Sequence, residues 1–583
     1  MPLIGTTGHV DHGKSTLVQT LTGRDPDRWE EEKRRGLTID LGFAWMNLGG
    51  VEASFVDVPG HERYLKNMLA GIEAIDLALF VVAADEGWMP QSEEHLAVLD
   101  LLEVSRGVVA VTKTDLVDEE LVELVALETA EKLKGTSLEG AVVIPVSATT
   151  GAGIEVLVDS LATLVGEIGP SDRARPRLWV DRSFSASGAG TVVTGSLLDG
   201  ELAVDDAVAI YPRGREARVR GIQSHEEPTE RASPGRRVAL NLARLDRSEI
   251  ARGDMVGLPA QWDISQRILV SLKSARYVDD LKPRGAYQLH LGSSSHGVTI
   301  VGLGVEEAVL QTDTPLPVAV GDRFILRDTG RKLVVAGGRV LDPSPGPTRE
   351  ALTVPPPDPD SSPDRIAADL LRLRGSDLAW RLAAHSGGGT PDTALQVGDR
   401  LFDPSRFDAL RSETEEAAAD YHRRHPLREG MPLATLAEKL GLDLEGAAVV
   451  VENSDRLERR GPEVAMKDWN VELSLDQEEQ WQKVRVRLEA DLAVPTVAEL
   501  GLDPELVHLL IRRGRLIRIS DALVYLPDQI GQIRGVLSEM PPEFTVADFR
   551  DAIGLSRKYA VPILEWADRE GLTVRRGDTR SAR

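Results

Sequence analysis

Cysteine is missing from all 583 residues, which excludes disulfide bridges, thiolate metal sites and cysteine nucleophiles. Long apolar runs are missing too: none approaches the roughly 18 residues that a membrane-spanning helix needs. The N-terminus enters a strand-like Leu3-Ile4-Gly5 segment without a basic and then an apolar stretch. No signal peptide is expected, and a cytoplasmic protein with no membrane partner is. Positive charge is scarce, with 68 Lys and Arg against 93 Asp and Glu and a net charge of −25. That balance argues against bulk attraction to nucleic acid and confines any such contact to particular surfaces. One candidate surface is the stretch 569–583, where Arg569, Arg575, Arg576, Arg580 and Arg583 outnumber Glu570 and Asp578. The length implies about four or more domains.

The most informative stretch is Gly8-His9-Val10-Asp11-His12-Gly13-Lys14-Ser15. Two glycines this far apart followed by Lys-Ser fit a phosphate loop. Backbone N–H groups wrap the phosphates, the lysine offsets their charge, and the serine hydroxyl reaches magnesium. Asp11, His12, Gly13, Lys14, Ser15 and Thr16 are the expected cradle, and a helix from Ser15 to Leu21 adds its N-terminal dipole.

Further elements follow in order. The charged run Trp29 to Arg35 leads to Thr38, a candidate to complete magnesium coordination. A strand Ala53 to Asp57 stops at Asp57-Val58-Pro59-Gly60-His61, where the carboxylate can hold magnesium through water and the Gly60 N–H can sense a γ-phosphate. Strand ends with Pro-Gly are more often plain turns, but this one follows a phosphate loop. A buried strand Leu77 to Ala83 and a helix near Ser92 to Glu103 come next. The strand Gly107 to Val111 ends at Thr112-Lys113-Thr114-Asp115. An aspartate there can accept two hydrogen bonds from N1 and N2 of guanine, and the lysine stem can cover the base. The strand Ala141 to Val146 ends at Ser147-Ala148, where a backbone N–H can meet guanine O6. Strands alternating with helices imply a mostly parallel sheet with ligand loops at the strand ends.

Gly8 to Lys14, Arg35-Gly36-Leu37-Thr38 and Asp57 to His61 resemble the translational GTPases related to EF-Tu. The resemblance implies that GTP or GDP binds with Mg2+, held directly by Ser15 and Thr38 and through water by Asp57. It implies that His61 orients the attacking water once the ribosome positions it, with Val10 and Leu37 as an apolar gate. Without these neighbours, His61 would read as a surface histidine in a turn. Thr112 departs from the Asn that most of the family carries, and its presence is expected to loosen nucleotide binding.

From Arg177 the pattern becomes short β runs separated by Gly and Pro, first Leu178 to Leu242, then Gln266 to Leu341. Evenly spaced short strands indicate two small β-barrels. Val180-Asp181-Arg182-Ser183-Phe184, Gly188 to Gly195 and Gly235 to Asn241 are similar to the second domain of the selenocysteine-specific elongation factors, the SelB family. That likeness implies an aminoacyl pocket of Asp181, Arg182 and Arg237, whose guanidiniums would select a selenolate over a neutral serine hydroxyl by charge.

A stiff linker, Pro355 to Pro363, precedes a mostly helical third of the chain. Units such as Leu433 to Gly441, Thr496 to Leu526 and Thr545 to Arg575 each read as helix, turn, helix and strand pair, the pattern of tandem winged helices. Ser386-Gly387-Gly388-Gly389-Thr390 interrupts the first unit. Protein contact or spacing is the plain role for the early units. The last resembles the end of bacterial SelB, which implies that it holds the loop of a selenocysteine insertion hairpin in mRNA. Arg557, Lys558, Arg575, Arg576 and Arg580 are the expected phosphate contacts.

The expected fold is therefore multidomain: an α/β P-loop GTPase domain (1–172), β-barrels (173–260 and 261–345), a linker (346–363), and winged helices at 364–411, 412–470, 471–527 and 528–583. The expected function is delivery of selenocysteinyl-tRNA to the ribosome at UGA by a monomeric, hairpin-tethered GTPase. Two alternatives stand beside it: a translational GTPase carrying another tRNA, such as an initiator carrier, and a GTP-gated winged-helix regulator that binds nucleic acid.

Overall fold

A computed structural model describes residues 1–26, 41–58, 75–169, 172–186, 190–225, 227–278, 281–282, 285–347 and 354–582. The chain divides into two compact units, Met1–Pro404 and Ser405–Arg583. Among the described residues, no helix is long and apolar enough to cross a membrane.

The first unit opens with β1 (Leu3–Gly8), α1 (Lys14–Thr22), β2 (Gly42–Leu48), β3 (Val51–Asp57), β4 (Leu77–Ala83), α2 (Pro90–Leu101), β5 (Gly107–Thr112), α3 (Glu119–Leu133), β6 (Val142–Pro145) and α4 (Ile154–Gly166). The strands form one sheet in the order β2-β3-β1-β4-β5-β6, parallel except for the β2–β3 hairpin. Helices cover both faces, so the central strands are apolar on both sides rather than alternating. Phe80 and Val82 pack in one core cluster with Leu96 and Leu99, whereas Leu79 and Val81 pack in another with Leu17 and Leu157. The register sets Thr6 opposite Asp57 and Gly8 opposite Val81. Both pairs lie at the strand ends from which the ligand loops spring.

Two six-stranded antiparallel barrels follow. The first closes where Ala207–Tyr211 pairs with Arg215–Ser224, the second where Ile264–Ser271 pairs with Val334–Asp342. Both were expected, and their strands begin and end within a few residues of the apolar runs that announced them.

A first winged helix, built on Pro363–Arg374 and Ala379–Ser386, belongs to this same unit. Its core takes in Val320 of the second barrel. Arg374 is largely buried beside Asp342 of that barrel and Asp377, 2.5 Å from the latter, and His385 reaches Asp263 at 3.1 Å. A buried guanidinium with one carboxylate from each side is costly to expose, so the ion cluster ties the first winged helix to the barrel. The glycine run that blurred this unit in the sequence ends its second helix: Gly387 caps it in the left-handed region, and a Cβ on Gly389 would lie 1.9 Å from the Pro363 carbonyl oxygen.

The second unit begins with the helix Pro404–Arg424. The boundary expected at 411/412 falls inside it, because Ser405 to Arg424 contains no Gly or Pro to break the helix. Three helix–strand units then follow, with second helices at Leu444–Glu452, Pro504–Arg512 and Arg557–Arg569. The last two share one apolar core, which runs from Leu427 to Ala567.

Candidate functional site

The phosphate loop is shaped by residues that tolerate positive φ. Gly8 has φ 128, Asp11 64 and Gly13 83, and a Cβ on Gly8 would sit 2.1 Å from the Val81 carbonyl oxygen. Only glycine fits such an approach. Gly13 leads into α1, and Lys14 tucks under the loop, donating to the carbonyls of Gly8 at 3.1 Å and His9 at 2.6 Å. Asp11 and Thr16 are exposed. Ser15 Oγ donates to Asp57 Oδ2 at 2.6 Å, and Thr6 Oγ1 donates to Asp57 Oδ1 at 2.5 Å. The fold thus brings Ser15 and Asp57, two of the three expected metal-site residues, into contact. Hydroxyl and carboxylate oxygens are the hard donors that Mg2+ takes alongside phosphate and water. Thr38, Gly60 and His61, together with Leu37 of the expected gate, lie outside the described residues.

At the base end, Thr112 Oγ1 donates to the His12 carbonyl at 2.7 Å. The threonine side chain thus braces the phosphate loop from the end of β5. Asp115 accepts from Ser147 Oγ at 2.6 Å. The Ser147 N–H, one of the two expected to meet guanine O6, donates instead to Ala152 O at 2.9 Å. Lys113 stands in the left-handed region, with its ammonium 3.1 Å from Asp85 and 3.4 Å from Glu86. The His12 ring is buried, and burial pushes its pKa down to about 4. Its backbone serves the loop while its side chain is part of the core.

Sequence reasoning missed three supports. Thr6 holds Asp57. From α2, Gln91 Oε1 accepts the Val10 N–H at 3.0 Å, and His95 Nδ1 accepts the Gly8 N–H at 2.9 Å. No spacing rule links α2 to the loop; only the β1–β4 pairing does.

In the first barrel, Asp181, Thr194 and Arg237 meet across neighbouring strands. Arg237 Nη1 pairs with Asp181 Oδ2, Nη2 lies 3.2 Å from both Asp181 Oδ1 and Thr194 Oγ1, and Thr194 donates to Asp181 at 2.5 Å. The guanidinium carbon stands 3.9 Å over the Phe43 ring of β2. Phe43, Trp45, Thr194, Gln223, His225 and Arg237 line a cleft of about 160 Å³ between the GTPase sheet and the barrel. Arg182 is half-buried on the adjoining strand. Phe43 and Trp45 were not anticipated, because no motif in the sequence singled out the stretch that forms β2.

In the last winged helix, Arg557 and Lys558 are exposed at the start of its second helix, and Arg575 and Arg576 are exposed on the hairpin. Arg580 is not: it is 4% exposed and donates to Asp568 at 2.9 Å. The phosphate contact expected of it is corrected to an internal ion pair, since the strand Thr579–Ala582 turns it inward.

Residues 1–167 match the Elongation factor Tu GTP binding domain, and residues 190–257 match Elongation factor Tu domain 2. With the loop geometry above, they define a translational GTPase that binds GTP and GDP. Residues 265–347 match the beta-barrel domain of selenocysteine-specific elongation factor, and residues 416–451 and 536–581 match winged helices of elongation factor SelB. The chain is 36% identical to the selenocysteine-specific elongation factor of Desulfomicrobium baculatum over all of both chains. It is 33% identical to that of Escherichia coli (strain K12), over 99% of this chain and 98% of the relative. The crystal structure of a bacterial selenocysteine-specific elongation factor EF-Sec matches over the full length of both chains, with a TM-score of 0.68 and 28% identity. SelB of Methanococcus maripaludis with the GTP analogue GppNHp matches 60% of this chain and 80% of its own, with a TM-score of 0.53 and 26% identity. The chain belongs to the SelB family of selenocysteine-specific elongation factors.

Proposed function

We propose that, in the cytoplasm and as a monomer, the chain carries selenocysteinyl-tRNA in its GTP form, is tethered through its last winged helix to a hairpin in mRNA, and releases the tRNA on the ribosome at UGA when GTP is hydrolysed. The observation that carries this is Arg237, fixed by Asp181 and Thr194 under the Phe43 ring at the seam between GTPase domain and barrel. A guanidinium held there faces whatever occupies the seam. With Arg182 beside it and one carboxylate between them, the local charge stays positive, which favours a selenolate over a hydroxyl. In the nucleotide site Ser15, Thr38 and Asp57 hold Mg2+, which neutralises phosphate charge. Asp115, Ala148 and the Lys113 stem recognise guanine, and His61 orients water. Arg557, Lys558, Arg575 and Arg576 meet hairpin phosphates. Binding two RNAs on one chain raises the local concentration of one tRNA at one codon.

The domain limits we assign are those expected from sequence, except that the boundary expected at 411/412 moves to the start of the helix Pro404–Arg424. An immobilised insertion hairpin tests the whole scheme. It should retain labelled selenocysteinyl-tRNA only when both the chain and GTP are present, and retention independent of the chain or of GTP would refute it.

A further inference from the structure

Helix α2 touches the phosphate loop at one end and the second barrel at the other. At its start, Gln91 and His95 accept the Val10 and Gly8 N–H groups at 3.0 and 2.9 Å. Between the ends, every residue from His95 to Leu101 is buried, so the helix has little room to bend. At its far end, Asp100 pairs with Lys273 of the barrel at 2.8 Å, and Glu103, just past the helix, pairs with Arg339 at 2.5 Å. A Cβ on Gly337 would lie 2.9 Å from Leu101 Cβ, so barrel strand and helix end are in close contact. Arg339 also holds Asp360, in the segment leading to the winged helices, at 2.6 Å.

Val10 and Gly8 belong to the loop whose backbone must turn toward the phosphates, and an N–H bonded to Gln91 or His95 is aimed by the helix. Any shift of α2 along its axis therefore re-aims the loop, and the ion pairs to Lys273 and Arg339 oppose that shift. We propose that Gln91 and His95 are positioning residues for the phosphate loop, that Glu103–Arg339 anchors the helix bearing them, and that this anchor sets the rate of nucleotide release. The proposal rests on nucleotide binding at the phosphate loop and is independent of the tRNA and hairpin assignments. Its physical content is a coupling energy between two contacts at opposite ends of one helix.

The test uses the full chain loaded with methylanthraniloyl-GDP and chased with excess GDP in a stopped-flow instrument. Gln91→Ala and Glu103→Gln should each speed release about threefold or more, the size expected for one lost hydrogen bond or charged contact. The double variant should release no faster than the quicker single one, because both changes free the same helix. Arg339→Lys, which keeps the charge, should release close to the wild-type rate. Glu103 sits at the surface, so Glu103→Gln folds even if Gln91→Ala does not. Release at the wild-type rate from Glu103→Gln, or a double variant whose effect is the product of the singles, would overturn the proposal.

Discussion

Ser15 and Asp57 are 42 positions apart and on different elements, yet the hydroxyl donates to the carboxylate at 2.6 Å. Asp57 is fully buried at the end of β3 and takes a second hydrogen bond from Thr6. A carboxylate so held points one oxygen at the start of α1, where a cation between serine and phosphate would sit. Asp57→Asn replaces one acceptor oxygen by a donor. GTP binding in magnesium should weaken by about tenfold or more, whereas binding in EDTA should change little. Titration with a fluorescent GTP in the two buffers checks this; an equal loss in both would place Asp57 outside the metal site.

His12 makes the nucleotide domain sensitive to acid. Burial holds its folded pKa near 4, below its usual 6.5, so the unfolded chain binds the proton more readily. Stability from this residue is complete above about pH 6.5 and falls as pH drops toward 4, by up to about 3 kcal/mol. His12→Asn should flatten that part of the profile. Thermal melting at half-unit pH steps measures it, and an unaltered slope would show that other groups control the transition.

Arg237 separates charge selection from packing. Arg237→Ala leaves Asp181 without its bidentate partner and removes the cation over Phe43. Preference for selenocysteinyl- over seryl-tRNA should drop by about tenfold or more, with affinity for the seryl form nearly constant. Competition binding of the two charged tRNAs reads this directly. A parallel loss for both would make Arg237 a structural element of the barrel.

The C-terminal arginines should divide into two groups. Arg557→Ala or Arg576→Ala in the full chain should weaken hairpin binding and lower the slope of log affinity against log salt by about 0.7–0.9 each. Arg580→Ala should lower the melting temperature instead, since it strands Asp568 beside a buried site, at a cost of about 2–3 kcal/mol. Salt-series titration and melting curves on the same preparations distinguish the groups. A normal melt with weakened, salt-flattened binding for Arg580→Ala would return it to the RNA surface.

The nucleotide site was legible because its parts are local: Gly8 to Ser15 and Thr112 to Asp115 are short runs whose spacing carries the chemistry. The barrels were legible because apolar alternation and turn residues recur along Leu178 to Leu341. What escaped were contacts made only when strands pair. Thr6 meets Asp57, Gln91 meets Val10, and Arg237 meets Phe43 across separations that no local pattern encodes. Arg580 misled for a related reason. In a hairpin the facing of a side chain alternates, so Arg576 and Arg580 look alike in sequence while one meets solvent and the other Asp568. The boundary misplaced at 411/412 shows the converse, a helix that continues because nothing in its sequence stops it.

The central claim is that a GTP switch governs capture of one particular aminoacyl-tRNA. Filter binding of selenocysteinyl-tRNA and seryl-tRNA to the full chain, each with GTP and with GDP, tests it most directly. The account predicts tight binding only for selenocysteinyl-tRNA with GTP, weaker by orders of magnitude in the other three conditions. Equal binding of both tRNAs, or binding indifferent to the nucleotide, would contradict it.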